Sequence, residues 1–259
     1  MKRTALTSLL SAGLISLVLV VNIATVRGQS ALPTLTVTSS SDSGAGSLRQ
    51  AILNALPGDT INFAAGITTI DLLSGELLID KNLTIDGPGA NLLTIQRSSA
   101  TPFRIFNITS ASITATISGL RIADGKAPTN GSGGGVSNAD TLTVSNSTLS
   151  GNRATGGGNQ GGGGGIANSG LLTITDSTVS ANVTDYFGGG LSSSGRLTII
   201  NSTVSGNTAD GRGGGGGVSN FGILTITNST LSGNTVLPNL GGGHGGGITN
   251  ETSATATIT

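Results

Sequence analysis

The chain of 259 residues is predicted to fold as an all-β solenoid, with three short strands per coil stacked in parallel and an amphipathic helix capping the N-terminal end. Three observations predict it. First, GGGVSNADTLTVSNSTLSGN, beginning at Gly133, returns as GGGIANSGLLTITDSTVSAN from Gly163, GGGLSSSGRLTIINSTVSGN from Gly188 and GGGVSNFGILTITNSTLSGN from Gly215. Second, the block never changes length, whereas the connector from its closing Asn to the next anchor residue varies from 9 to 14 residues. A fixed block with an elastic connector is the signature of a coil that carries its loops on one corner. Third, aromatic content is 2% and charge 9%, yet Thr, Ile, Val and Leu recur in register, which separates this Gly-rich chain from a disordered one.

Residues 1–28 begin with Lys2 and Arg3, run through the apolar LISLVLVV and end in small residues near Gly28. This predicts a secretory leader and an exported, extracellular or cell-surface protein; a membrane anchor is the other reading, though the apolar run is shorter than the ~20 residues a span needs. No later segment is apolar enough to span a bilayer. The absence of Cys leaves coil stacking alone to stabilise an exported chain. The formal charge is zero, and removing Lys2, Arg3 and Arg27 with the leader leaves a mild acidic excess, so nucleic acid is not an expected partner.

Residues 29–59 contain a linker, a strand at LTVT (35–38) and one helix signal, SLRQAILNAL. Leu48, Ala51, Ile52, Ala55 and Leu56 share a helical face, Ser47 and Gln50 form a capping box, and Pro57 and Gly58 stop the helix. Its apolar face is expected to cover the open end of the first coil. Residues 60–132 read as degenerate coils, with apolar pieces at 61–63, 67–73, 77–79, 83–85 and 92–95. A transitional coil at 103–124 follows, in which ISGLRIADG is similar to the later STVSGNTADG. The expected number of coils is about eight.

Residues 133–259 are the regular coils. The first strand holds Val136, Ile166, Leu191 or Val218. The turn after it uses Asp140, Gly170, Gly195 and Gly222, types that tolerate positive φ. The second strand alternates inward aliphatics with outward Thr143, Thr173, Thr198 and Thr225, giving a hydroxyl-lined, uncharged face that can offer hydrogen bonds but cannot by itself move a proton. The third strand points Leu149, Val179, Val204 or Leu231 inward. Stacking places Asn138, Asn168, Asn220 and Asn250 in one column and Asn152, Asn182, Asn207 and Asn234 in another, predicting structural Asn ladders. Most N-x-S/T triplets are assigned to those ladders rather than to glycosylation. GGGITNETSATATIT, from Gly245, opens a fifth regular coil and stops after its second strand, so the chain is expected to be a fragment of a longer protein.

The GGGV, GGGI and GGGL motifs with their following S-x-N blocks resemble the GGA-I and F-x-x-N repeats of bacterial polymorphic outer-membrane proteins and related secreted β-helix proteins. DSGAGSLRQAI followed by PGDTINF is similar to the N-terminal cap of such proteins. The resemblance implies a right-handed single-stranded parallel β-helix of the pectin lyase-like type and an adhesin-like role. Gly replaces Ala in the first motif, and aliphatics stand where Phe is expected.

One connector breaks the monotony. Asp185 and Asp210 each lie nineteen residues after their anchors, and Tyr186, Phe187 and Arg212 adjoin them. The cluster is a candidate carbohydrate- or cation-binding patch, with Ca²⁺ as the cation; the plainer reading is that these charges keep a Gly-rich corner soluble. GGGNQGGGGG at 156–165 lacks the strand-loop-helix context of a nucleotide loop, and His244 is the sole histidine. The expected function is a structural or adhesin-like β-helix presenting its variable loops to glycans or cell-surface proteins. The alternative is a polysaccharide lyase or glycoside hydrolase using Asp71, Glu76, Asp80, Lys81 and Asp86 of the early coils, a role the resemblance implies.

Overall fold

The computed structural model describes residues 34–109, 112–155, 162–210, 214–237 and 245–259. The proposed leader lies outside the described residues, as do Arg212, His244 and most of the 156–165 glycine run. The described residues form a right-handed parallel β-solenoid of about seven turns, against an expectation of about eight. One sheet has nine strands, from Thr34–Val37 to Thr255–Ile258; two have seven each, from Leu77–Ile79 to Ile248–Asn250 and from Thr69–Leu72 to Thr230–Ser232. Every coil-to-coil pairing is parallel and in register, with Leu142 against Leu172, Val136 against Ile166 and Leu149 against Val179. Inward aliphatics therefore stack on aliphatics, and Val136, Ile166, Val144, Ile174, Leu149 and Val179 are all fully buried. Each such side chain contributes about 1.5–3 kcal/mol.

The regular coils also carry a fourth sheet that the three-strand reading lacked, built from Arg153–Ala154, Val183–Thr184, Thr208–Asp210 and Thr235–Leu237. Its strands begin directly after the second Asn column. That column fixes the spacing between neighbouring chains, so the residues that follow stay extended and pair.

Helix α1 (Leu48–Asn54) forms where predicted, with Leu48, Ala51 and Ile52 buried and the Ser47 hydroxyl accepting the Gln50 amide. The box closes only halfway. The Ser47 amide donates to Gly44, and the Gln50 side chain donates to Asn54 instead. Leu56 is exposed rather than inward, because the chain leaves helical geometry at Ala55. Lys81 takes up the freed carbonyls of Ile52 and Ala55, and Arg49 joins Asp42 to the carbonyls of Gly75 and Glu76, tying the helix to the first coil.

Two turn assignments change. Positive φ falls at the first residue of the NST triplet, Asn146, Asp176, Asn201 and Asn228 (φ 48 to 49°), and not at Asp140 or its equivalents. Gly170 and Gly195 are glycine for a different reason: a Cβ on Gly170 would lie 2.1 Å from the Asp140 carbonyl oxygen, and one on Gly195 would lie 2.0 Å from that of Gly170. The transitional coil is also displaced from the sequence likeness. Arg121 pairs with Thr148 and Ile122 with Leu149, and the Gly125 amide bonds the Asn152 side chain, so ADG at 123–125 occupies the place of SGN and not of the later ADG.

Candidate functional site

Three ladders set the surfaces that any ligand would meet. Asn152, Asn182, Asn207 and Asn234 form a continuous one, each side-chain NH2 donating to the next carboxamide oxygen at 2.9 to 3.0 Å while that oxygen also accepts the preceding Asn amide. The other Asn column is in two pieces. Asn138 donates to Asn168 and Asn168 to the Ser193 hydroxyl, and then Asn220 donates separately to Asn250. The third ladder is one that the sequence reading missed. The Ser147, Ser177 and Ser202 amides donate to the hydroxyls of Ser177, Ser202 and Ser229, and each hydroxyl returns its proton to a carbonyl two residues back.

That serine ladder corrects the reading of the N-x-S/T triplets. Within the triplet the inward member is Ser, buried at Ser147, Ser177 and Ser202 and half-buried at Ser229, and Asn146, Asn201 and Asn228 stand exposed in left-handed turns, outside both Asn ladders. Among the triplet asparagines only Asn182 and Asn250 belong to a ladder.

The exposed turn residues form one wall of a groove of about 870 Å³ on the outer face of the sheet that contains Thr148–Ser150 and Thr178–Ser180. Its floor is the outward Thr148, Ser150, Thr178 and Ser180, with Asn146 and Asp176 along one side and the Gly89–Asn91 turn and Arg121 at one end. The Arg121 Nε donates to the Ser150 hydroxyl at 3.1 Å, which fixes the guanidinium over the floor. Asp176 accepts from Thr175 at 3.0 Å and from the Asn201 side chain at 3.4 Å. The groove thus offers a bidentate cation, a carboxylate, two carboxamides and a row of hydroxyls, the donor and acceptor set that matches a polyhydroxylated ligand.

Of the residues singled out in the sequence, Asp185 pairs with Arg153, which neutralises it, and Arg153 rather than Arg212 is its described basic neighbour. Phe187 packs edge-on against Phe221 with centroids 5.1 Å apart, a partner the sequence reading missed because the two rings sit on different parts of successive coils. The Tyr186 amide bonds the Thr184 hydroxyl, and Asp210 pairs in register with Leu237. Among the described residues no three His, Asp or Glu side chains converge as a metal site would require, and no helix is long and apolar enough to cross a membrane.

The carboxylates of the early coils are engaged in structural contacts. Hydrogen bonds from Ser98 and Gln96 hold the Asp71 carboxyl below its ordinary range. Burial alone would raise Asp42, but Arg49 and the Ser74 amide bring it below its usual value. Glu76 bonds Arg104 and Asn107, Asp80 lies beside Lys81, and Asp86 accepts from Ser118. Comparison with protein families, with curated proteins and with solved structures returns no match.

Proposed function

We propose that this chain is an exported binding module of the adhesin-like kind, a rigid solenoid that recognises glycans by non-covalent contact in the Arg121–Asp176 groove. The observation that carries the reading is the composition and fixity of that groove: Arg121 held by Ser150, Asp176 held by Thr175 and Asn201, and a hydroxyl floor on in-register strands. Groups already held in place lose little entropy when a ligand arrives, which favours selective binding by a shallow, open surface. Export is supported by the leader pattern at residues 1–28, and the adhesin-like role by the likeness of the glycine motifs to outer-membrane repeat proteins. The Asp185–Arg153 pair and the Phe187–Phe221 rings border the connectors and supply a secondary contact surface.

The test is titration of an oligosaccharide selected on a glycan array against the wild-type chain and against Arg121→Ala and Asp176→Asn. Loss of binding in both variants with unchanged melting supports the reading. Unchanged affinity in both overturns it.

A further inference from the structure

The nine-stranded sheet presents an outer face with one unusual column. Every one of its nine strands places a threonine there, from Thr34 through Thr116, Thr143, Thr173 and Thr198 to Thr257, and the register of each strand pair keeps them in line. Strand propensity alone accounts for β-branched or aromatic residues at such positions, not for one residue type nine times. The columns on either side of it, on the same strands and the same face, show what that tolerance looks like: Leu171, Arg196 and Ile223 on one side, Asp86 and Ile200 on the other. A second threonine column on the neighbouring sheet is interrupted by Arg121 and bordered by the Gly89–Asn91 turn, and so forms the groove instead of an open face.

None of the nine hydroxyls bonds a side chain of another described residue, whereas Thr227 and Thr259 in the flanking column do bond each other at 3.0 Å. The central column therefore keeps its hydrogen-bonding capacity for what lies outside. Successive threonines along it are separated by about 4.8 Å, and Ser118, Ser145, Thr175 and Thr227 form a partial second hydroxyl column about 6.7 Å further along the strands. Each threonine pairs a hydroxyl, which donates and accepts, with a methyl group that restricts the orientation of first-shell water. A two-dimensional array of such pairs, nearly free of charge, offers water hydrogen-bonding points at regular spacings. Its shorter repeat is close to the a-axis repeat of hexagonal ice, and its longer repeat lies somewhat below the c-axis repeat, the two spacings of a prism face. A glycan is a poorer match to this face, because the central column offers no carboxamide, carboxylate, guanidinium or ring to it, all of which sugars exploit and the groove supplies in part.

We propose that the threonine face of the nine-stranded sheet binds crystalline ice. The proposal is independent of the groove. Its test measures thermal hysteresis and inhibition of ice recrystallisation over a concentration series for wild type, Thr143→Lys, Thr198→Lys and Arg196→Thr, with circular dichroism confirming that each outward substitution leaves the fold intact. Wild type is expected to shape ice crystals and produce hysteresis, each Lys variant to lose it severalfold, and Arg196→Thr, which removes the main charged interruption, to exceed wild type. Absence of hysteresis in wild type, hysteresis that survives both Lys substitutions, no gain from Arg196→Thr, or adsorption to crystalline cellulose or chitin in its place overturns the proposal.

Discussion

Replacing Asn182 with Ala tests the continuous ladder at its centre. Asn182 is fully buried; its NH2 donates to the Leu149 carbonyl and to Asn207, and its oxygen accepts both the backbone amide and the side chain of Asn152. Truncation leaves the Asn152 backbone N–H buried without a partner, which costs about 1–3 kcal/mol, and removes three further bonds worth about 0.5–1.5 kcal/mol each to groups that keep another partner. The expected loss is roughly 2.5–7.5 kcal/mol, a large fraction of the 5–15 kcal/mol of a typical domain. Urea unfolding followed by circular dichroism measures it, with the slope checked because stacked coils can unfold in segments. A loss below about 1 kcal/mol would refute the ladder's role, since even one orphaned buried donor reaches that value. Asn182→Asp separates geometry from charge: it keeps both acceptor positions but sets an oxygen against the Leu149 carbonyl, so its defect should ease as pH falls and the buried carboxyl protonates.

Further outcomes follow from the turns, the stacking and the cap. Ala181 has φ 53° where the equivalent residues are Gly151, Gly206 and Gly233, so Ala181→Gly should raise the melting temperature by relieving about 1 kcal/mol of left-handed strain. Gly195→Ala should prevent folding or cost more than about 3 kcal/mol, because its Cβ would overlap the Gly170 oxygen, whereas Gly206→Ala meets no atom within 4 Å and should cost only about 1 kcal/mol for its φ of 62°, both read by thermal melts. The depressed Asp42 carboxyl contributes stability that is present above the unfolded value near 3.9 and lost as pH falls through its lower folded value. Acid titration should therefore release the α1 cap at the low end of that window, and Asp42→Asn should abolish this step.

Fold and register were legible because the regular block has one length, so equivalent positions in the sequence repeats become stacked neighbours in the coils, as Leu142, Leu172, Leu197 and Leu224 do. What the repeat concealed is which member of a constant triplet is structural. Asp176 replaces Asn in one copy, while Ser147, Ser177, Ser202 and Ser229 never vary, and that constancy marked the buried ladder. The fourth sheet was hidden because Arg153–Ala154 and Val183–Thr184 share no residue type, and pairing there follows from the ladder beside them. The groove was less legible still. The Gly89–Asn91 turn comes from a degenerate coil and Arg121 from the transitional one, whose likeness to the regular block is displaced, and only three-dimensional stacking brings them beside Asn146 and Asp176.

The central functional claim, recognition without turnover, is tested most directly by incubating the purified chain with the glycans it retains on an array and assaying the same samples for new reducing ends and unsaturated uronates. The account predicts retention with no product above a protein-free control. Time-dependent product that scales with protein concentration would contradict it.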